Sequence, residues 1–375
     1  MLDQRQLCSC HDPETEVLTR HGWLPFPALT MENELATVDP ESREVTFERP
    51  LRVVAKRYTG DLCRVSNTSK DFAVTPDHHM LVRKWNERYR RLDDRYSFVN
   101  MADIGWYSGL MASVHQAGGT ESYTIPGIPG YKRASQREDL TVSMPACLRF
   151  LGIYLAEGTM IKPTGKSPNK IQIAAFKDRE KTFVRAVLSE LGVRACELRD
   201  RFTFENGRIY RHLEGLGLKG VHAADKFVPR FVFEQSSESI EELLRGHREG
   251  DGSLQNDAWT HHTTSPQLAD DLQELAFLAG YKTGRSVRAP RVAVMRDGRE
   301  VRGKRPEYSV RALKGSQSSI ERNKEVSSGA YDGMVYSAEV STFHTLVTRR
   351  NGRILISGSC THNAPARSTM GRTPQ

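Results

Sequence analysis

The sequence predicts an all-β domain interrupted by an α+β block that is built from two related halves. Three observations predict it. Closely spaced runs of β-forming residues fill positions 16 to 82, and the same texture returns near residue 330. Between about 140 and 285 the apolar residues recur at helical spacing instead. Within that block a pattern of glycine, acid and glycine occurs twice. A β domain whose last strands arrive long after its first ones reads as a domain carrying an insertion.

The first β segment includes EVLTRHGWLPF, LRVVAKRYTGDLCRV and FAVTPDHHMLV, rich in Val, Thr and aromatics and separated by turn residues. Residues 83–98 mix arginine with aromatics and read as a solvated hairpin or loop, with a DNA-touching insertion as the alternative. Residues 123–137 are rich in Gly, Pro, Ser and basic residues and read as a linker. The returning segment is GMVYSAEVSTFHTLVTRR, then Asn351-Gly352 as a turn, then RILISG. The organisation expected is a flank at 1–9, a discontinuous β domain at 10–137 and 326–359, an inserted block at 138–325, and a second flank at 360–375.

With 375 residues the chain is too long for one ordinary core. A charged fraction of 27% describes a soluble globular protein, and no apolar run approaches a membrane span or a secretory signal. The expected compartment is therefore the cytoplasm. A net charge of +8 suits a polyanionic partner, of which DNA is the commonest. The six cysteines are scattered and contain no CxxC pair, so no disulfide framework is expected. The cluster Cys8, Cys10, His11 lacks the second pair that a zinc site needs.

The duplicated pattern is FLGIYLAEGTM at 150–160 and LRGHREGDGSL at 244–254. Each has glycine third, an acid eighth and glycine ninth. Each is followed by an amphipathic helix, KDREKTFVRAVLSELG in the first copy and SPQLADDLQELAFLAG in the second, where Ser265 caps and Pro266 opens the first turn. The unit is roughly ninety residues long. Leu148, Leu151 and Leu155 share one helix face, predicting a helix over 146–157. Gly152 and Gly246 would let two such helices approach closely. Gly158 and Gly252 would end them, leaving Glu157 and Asp251 at helix C-termini. Two carboxylates there are unfavourable without a cation, and a carboxylate pair with a divalent metal is the equipment of phosphodiester hydrolysis.

This paired motif resembles the LAGLIDADG homing endonucleases over about residues 140–325. The resemblance implies two αββαββα halves related by a pseudo-twofold axis, with the motif helices at their interface. It also implies saddle-shaped sheets on double-stranded DNA with a long pseudo-palindromic target, acids Glu157 and Asp251 that bind Mg2+, and a monomeric enzyme. A basic residue in each half would polarise the site. Lys226 is expected to be one, and Lys324, in preference to Lys314, the other.

The flanking β segments carry a second chemistry. Cys10 can attack the preceding peptide carbonyl, which makes Ser9–Cys10 the scissile bond. Thr75 and His78 have TxxH spacing; a histidine against the Cys10 amide could protonate the leaving nitrogen, and Thr75 could hold the strained peptide. The arrangement resembles the Hint fold of hedgehog proteins and inteins. Cys10, Thr15 and Val17 match the first intein block, TPDHHMLV the second, and His344 the usual histidine of a later one, where Ser337 replaces the common Asp. The resemblance implies N-to-S acyl shift, transthioesterification, asparagine cyclisation and a final S-to-N shift, between N- and C-extein flanks.

The C-terminal junction departs from the intein pattern. In one register the intein ends at Ser359, with Gly358 before it and Cys360 as the downstream nucleophile. In the other it ends at His362-Asn363, and Ala364 follows. The first register is preferred because its strand length after His344 fits. Either register lacks one essential group, so the last splicing step is expected to be impaired. A free-standing endonuclease whose β domain is a relic that grips DNA is the main alternative. A hedgehog-like autoprocessing domain and a catalytically dead DNA-binding module are two others. The tail ARSTMGRT lacks the first Gly and the Lys of a P-loop.

Overall fold

A computed structural model describes residues 9–130, 132–161, 169–290, 292–294 and 300–360. The chain divides into two compact units, Met1–Met111 with Gln317–Gln375, and Ala112–Ser316.

The first unit begins with ten strands: β1 (Glu16–Thr19), β2 (Gly22–Pro25), β3 (Leu35–Val38), β4 (Val45–Glu48), β5 (Arg52–Ser66), β6 (Asp71–Val74), β7 (His79–Asn86), β8 (Arg91–Leu92), β9 (Ser97–Asn100) and β10 (Tyr107–Met111). Most pair as antiparallel neighbours, β1 with β2 and β3, β3 with β4, β5 with β6, and β7 with β8, β9 and β10. The arginine-rich stretch 83–98 is therefore a hairpin. Arg83 lies over the Tyr96 ring and Arg88 over Tyr89.

The chain then enters the second unit at β11 (Ser122–Ile125) and β12 (Leu140–Ser143), a hairpin of their own. The first repeat follows as α1 (Met144–Glu157), β13 (Gly158–Met160), β14 (Lys170–Ala174), α2 (Asp178–Glu190), β15 (Cys196–Glu197), β16 (Arg201–Glu205) and α3 (Gly207–Gly215). The second is α4 (Ser237–Asp251), β17 (Gly252–Gln255), β18 (Ala258–Thr263), α5 (Pro266–Leu278), β19 (Tyr281–Arg288), the short hairpin β20 (Val292–Val294) and β21 (Glu300–Arg302), and β22 (Glu307–Lys314). Both repeats pair their strands in the same order. The first runs β13-β14-β16-β15, and in the second β18 pairs β17 and β22 while β22 pairs β19. The expected αββαββα order holds in full for the first half. The second half ends on β22 without a closing helix inside this unit.

The first unit is completed by β23 (Gln317–Glu321), the single turn α6 (Arg322–Glu325), β24 (Ser327–Glu339), β25 (Thr345–Arg350) and β26 (Arg353–Gly358). These strands close on partners from the far end of the chain. β24 runs along β5 from Arg64↔Ser327 to Arg52↔Glu339. β25 pairs β1 and β26, and β23 pairs β10. Asn351 and Gly352 form the expected two-residue turn with φ 47° and 71°, which Asn and Gly tolerate best.

The junctions lie closer to the first unit's strands than the sequence reading placed them. Residues 112–137 belong with the inserted unit because their polar groups are satisfied there. The Gln116 amide donates to the Phe233 and Gln235 carbonyls, and Gln136 accepts from the Gly207 N–H. Residues 317–325 belong to the first unit because β23 zips onto β10.

Candidate functional site

In the inserted unit α1 and α4 cross at their glycines. A Cβ on Gly152 would lie 2.1 Å from the Leu243 carbonyl oxygen, and one on Gly246 would lie 2.3 Å from that of Arg149. Only backbone fits at this crossing. Ser143 and Ser236 cap the two helices through their side chains. Each helix ends where expected, at Gly158 and Gly252, but for a different reason. Both glycines are extended, with φ of −86° and −115°, not left-handed. Their small size is what matters: a Cβ on Gly158 would meet Tyr154 Cδ2 at 2.2 Å, and one on Gly252 would meet the Arg248 carbonyl at 2.4 Å. The chain turns directly from helix into strand with no room for a side chain.

This crossing brings the two acids together. A Cβ on Gly250, beside Asp251, would stand 2.7 Å from Glu157 Cγ. Burial, then the neighbouring Glu157 charge, pushes the Asp251 carboxyl up to about 7. Glu157 is raised as well, by burial and then by Glu180. Lys226 faces both carboxylates and is itself 7% exposed. Its ammonium donates to the carbonyls of Tyr154, Leu155, Ala156 and Gly158 at 2.8–3.3 Å, so it caps the C-terminus of α1. Burial draws it down to about 8, against the pull of Asp251 and Glu157. Lys226 is thus a cation at the helix end, set in place by Ser265, whose hydroxyl donates to its carbonyl.

Lys324 is not part of this arrangement. It lies in α6 of the other unit, exposed, and pairs with Glu321 at 2.6 Å. Lys314, in β22, sits over the Tyr281 ring instead. Sequence reasoning missed two buried histidines behind Asp251. His247, one helical turn before it, and His261 on β18 meet Nδ1 to Nδ1 at 3.2 Å. The RGHREGD string places His247 on the motif helix, but nothing local pairs it with His261.

Among the described residues no group of three or more His, Cys, Asp or Glu side chains is placed to hold a metal. The donor set at the crossing is two hard carboxylates, which suits Mg2+ with its other ligands drawn from water or phosphate oxygen.

In the first unit the Ser9–Cys10 peptide is held on both sides. The Cys10 N–H donates to Thr75 Oγ1 at 3.2 Å, and the Thr75 N–H donates to the Cys10 carbonyl at 3.0 Å. His11 bridges to Val74 and Tyr336. Thr15 donates to Asp12, and Asp12 also takes Arg350, which ties the N-terminal segment to β25. Cys10 is wholly buried, and burial pushes its thiol up to about 12, with Lys56 and Arg52 opposing. At rest it is a protonated thiol that needs a base.

His78 does not face the Cys10 amide. Its Nδ1 bonds Ser9 Oγ at 2.8 Å and its Nε2 bonds Ser357 Oγ at 2.9 Å. Thr75 holds the amide proton instead. The His11 ring stands edge-on to His78 at 4.4 Å and stacks on Phe26. Burial, then His11, holds His78 well below its ordinary range, so it rests neutral. Ser357 was not singled out from sequence, whereas Ser9 was named only as the residue before the scissile bond and His11 only within the Cys8, Cys10, His11 cluster, neither as a partner of His78.

At the other end, Cys360 shares one buried cluster with Cys10, Leu62 and Val335. Its N–H donates to the Ala338 carbonyl, and Arg52 reaches its sulfur at 3.5 Å. Cys360 is disulfide-bonded, where the scattered cysteines had led to the expectation of no disulfide framework. Ser359 and Ser337 are wholly buried, and neither hydroxyl has a partner among the described residues. His344 approaches the junction through its backbone, whose carbonyl accepts from the Ser359 N–H at 2.8 Å. Its exposed ring turns back to the Val340 carbonyl, at φ 53°. His362, Asn363 and Ala364, and residues 1–8 of the first flank, lie outside the described residues.

No protein-family model matches the chain. It is 25% identical over 285 residues to an ATP-dependent Clp protease proteolytic subunit of Chlamydomonas moewusii, a match covering 72% of this chain and 28% of that protein. It is 20% identical to the DNA-directed RNA polymerase subunit beta C-terminal section of Stigeoclonium helveticum, over 95% of this chain and 37% of that protein. It is 23% identical to the ribonucleoside-diphosphate reductase subunit beta of Aquifex aeolicus, over 94% and 50% respectively. The chain thus spans half or less of these curated relatives. Its structural neighbours are LAGLIDADG proteins. The homing endonuclease I-DmoI in complex with DNA and Mn aligns at a TM-score of 0.30 and 10% identity, over 45% of this chain and 89% of that one. The N-terminal LAGLIDADG domain of DUF199/WhiA aligns at 0.27 and 10%, over 46% and 75%. Among the described residues no helix is long and apolar enough to cross a membrane.

Proposed function

We propose that the chain is an intein: a self-splicing β unit carrying a nested, Mg2+-dependent endonuclease that cuts double-stranded DNA. The observation that carries this reading is the meeting of the two ends of the interrupted unit. Cys10 and Cys360 lie in one buried cluster, and the Ser9–Cys10 peptide is clamped beside them by Thr75. The relatives support it. A protease subunit, a polymerase subunit and a reductase subunit are named for unrelated activities, yet each matches most of this chain with half or less of its own length. A segment inserted into unrelated hosts has that signature.

In the splicing reaction Cys10 Sγ attacks the Ser9 carbonyl carbon. The Ser9–Cys10 C–N bond breaks, a thioester forms, and the thiol proton passes to the freed Cys10 nitrogen. Thr75 Oγ1 fixes that nitrogen. Once its disulfide is reduced by an added thiol, Cys360 can attack the thioester and release the Cys10 thiol. Ser359 has no side-chain amide to cyclise, so the branched product persists. In the alternative register, Asn363 would cleave its own C-terminal bond without Cys360.

In the endonuclease a bound Mg2+ would polarise the scissile phosphate and supply an activated water. Glu157 and Asp251 would hold it, each giving oxygen ligands from a helix end. Lys226 would place a positive charge beside the bound phosphate, and it fixes the end of α1. Carrying both half-sites in one chain, it would act as a monomer.

Mass spectrometry of the reduced chain with and without added thiol tests the splicing reading. Thiol should release the nine-residue N-terminal peptide, and Cys10→Ala should block release. No release and no cleavage after Asn363 over days would leave the endonuclease alone as the function. Failure to cut DNA with Mg2+ would remove that function in turn.

A further inference from the structure

We infer that this chain selects a serine, read through its hydroxyl, as the residue preceding its nucleophile; the inference rests on Ser9–Cys10 being the bond that reacts. Ser9 is 4% exposed although it precedes the reactive segment. Its Oγ accepts from the His79 backbone N–H at 3.0 Å and bonds His78 Nδ1 at 2.8 Å. The far nitrogen of His78 is fixed by Ser357, and the ring is wedged against His11, so the imidazole cannot turn to follow a different side chain. The surroundings of the Ser9 hydroxyl are therefore polar and held in place by their own contacts.

The chemistry of selection follows. With alanine at position 9, the His79 N–H and the buried His78 imidazole nitrogen lose their partner. With leucine, the same groups are buried under carbon. A site built around a hydroxyl discriminates strongly against a side chain that lacks it, because its own polar groups are left unpaired. The hydroxyl also sets the carbonyl. Holding Ser9 Oγ fixes χ1 of the residue whose carbonyl carbon Cys10 must attack, while Thr75 fixes the Cys10 side of the same peptide. Ser9 thus positions the electrophile, and Thr75 the leaving nitrogen.

The experiment measures thiol-induced release of the N-terminal peptide from the full reduced chain and its Ser9→Ala, Ser9→Thr and Ser9→Leu variants, with the imidazole 15N shifts of His78 recorded for each. Thermal melts establish that each variant is folded. Ser9→Ala should release about tenfold more slowly and Ser9→Leu more slowly still, whereas Ser9→Thr, which keeps the hydroxyl, should stay closest to the parent. The His78 signal should move in Ser9→Ala and Ser9→Leu and stay near its place in Ser9→Thr. Equal release from parent and Ser9→Ala overturns the inference while leaving the splicing reading intact. Slower release with an unmoved His78 signal overturns it too, because the effect then does not pass through these contacts. Absence of Cys10-dependent release from the parent overturns the splicing reading and this inference with it.

Discussion

Replacing Gly152 by alanine should separate the two motif helices and so uncouple the acids. The ideal Cβ stands 2.1 Å from the Leu243 carbonyl oxygen and 2.8 Å from the His247 nitrogen, both backbone atoms that cannot swing away. Restoring an ordinary contact requires α1 and α4 to move apart by roughly 1 Å, and an interior packed at crystal density has no slack to absorb it. The helix-propensity gain of alanine over glycine, about 1 kcal/mol, works the other way. Overpacking of this kind costs about 1–3 kcal/mol and sometimes more, and a clash with backbone lies at the upper end. The net loss should be about 2 kcal/mol, or roughly 4–8 °C in the melting temperature of a unit this size. Gly215→Ala is the control, since nothing lies within 4 Å of a Cβ there. It should leave stability unchanged or raise it slightly. Differential scanning calorimetry of the three proteins gives the answer, and NMR titration of Asp251 gives the coupling. With Glu157 moved away, Asp251 should titrate below its present value of about 7. A Gly152→Ala protein that melts with the parent, and keeps Asp251 where it is, would refute the backbone-on-backbone account of the crossing.

Three further outcomes follow from the same geometry. Asp251→Asn should abolish Mg2+-dependent DNA cleavage, spare DNA binding and raise the melting temperature near pH 8, because a carboxyl held up to about 7 is destabilising once ionised; cleavage assays, gel shifts and calorimetry check each part. Acid should unfold the protein through its buried neutral histidines. His11 and His261 fall to about 3, so the unfolded chain binds more protons below pH 6.5, and stability present above 6.5 is lost as pH drops toward 3 at about 1.4 kcal/mol per unit per histidine. His11→Phe should move the acid midpoint of the first unit lower by circular dichroism, and an unmoved midpoint would exonerate His11. Replacing residues 112–316 by a short linker should leave the first unit folded, since its strands pair with one another across the gap; an NMR spectrum without dispersion would show that the boundaries are misplaced.

Sequence by itself determined what repeats or has a local period. The return of β texture at residue 330 announced an interrupted domain, and the ladder of β5 on β24 is its physical form. The repeated glycine and acid positions announced a helix pair, because a 3.6-residue period and a missing side chain are local properties that a string records. Ser265 and Pro266 marked the start of α5 for the same reason. Tertiary structure decided everything that depends on which distant atoms meet. Residues 112–137 resemble a linker in composition, and only their hydrogen bonds to residues 207 and 233–235 assign them to the inserted unit. Lys226 and Lys324 are both single lysines in the sequence; burial against the carbonyls of α1 separates the one beside the acid pair from the one that is solvated. His78 was legible as a histidine near Cys10, but not that its ring faces Ser9 and Ser357 while Thr75 takes the amide. The state of Cys360, joined in a disulfide, is a matter of two sulfurs meeting in space. A hydrogen bond is set by ångströms and angles between residues hundreds of positions apart, and no local pattern carries that distance.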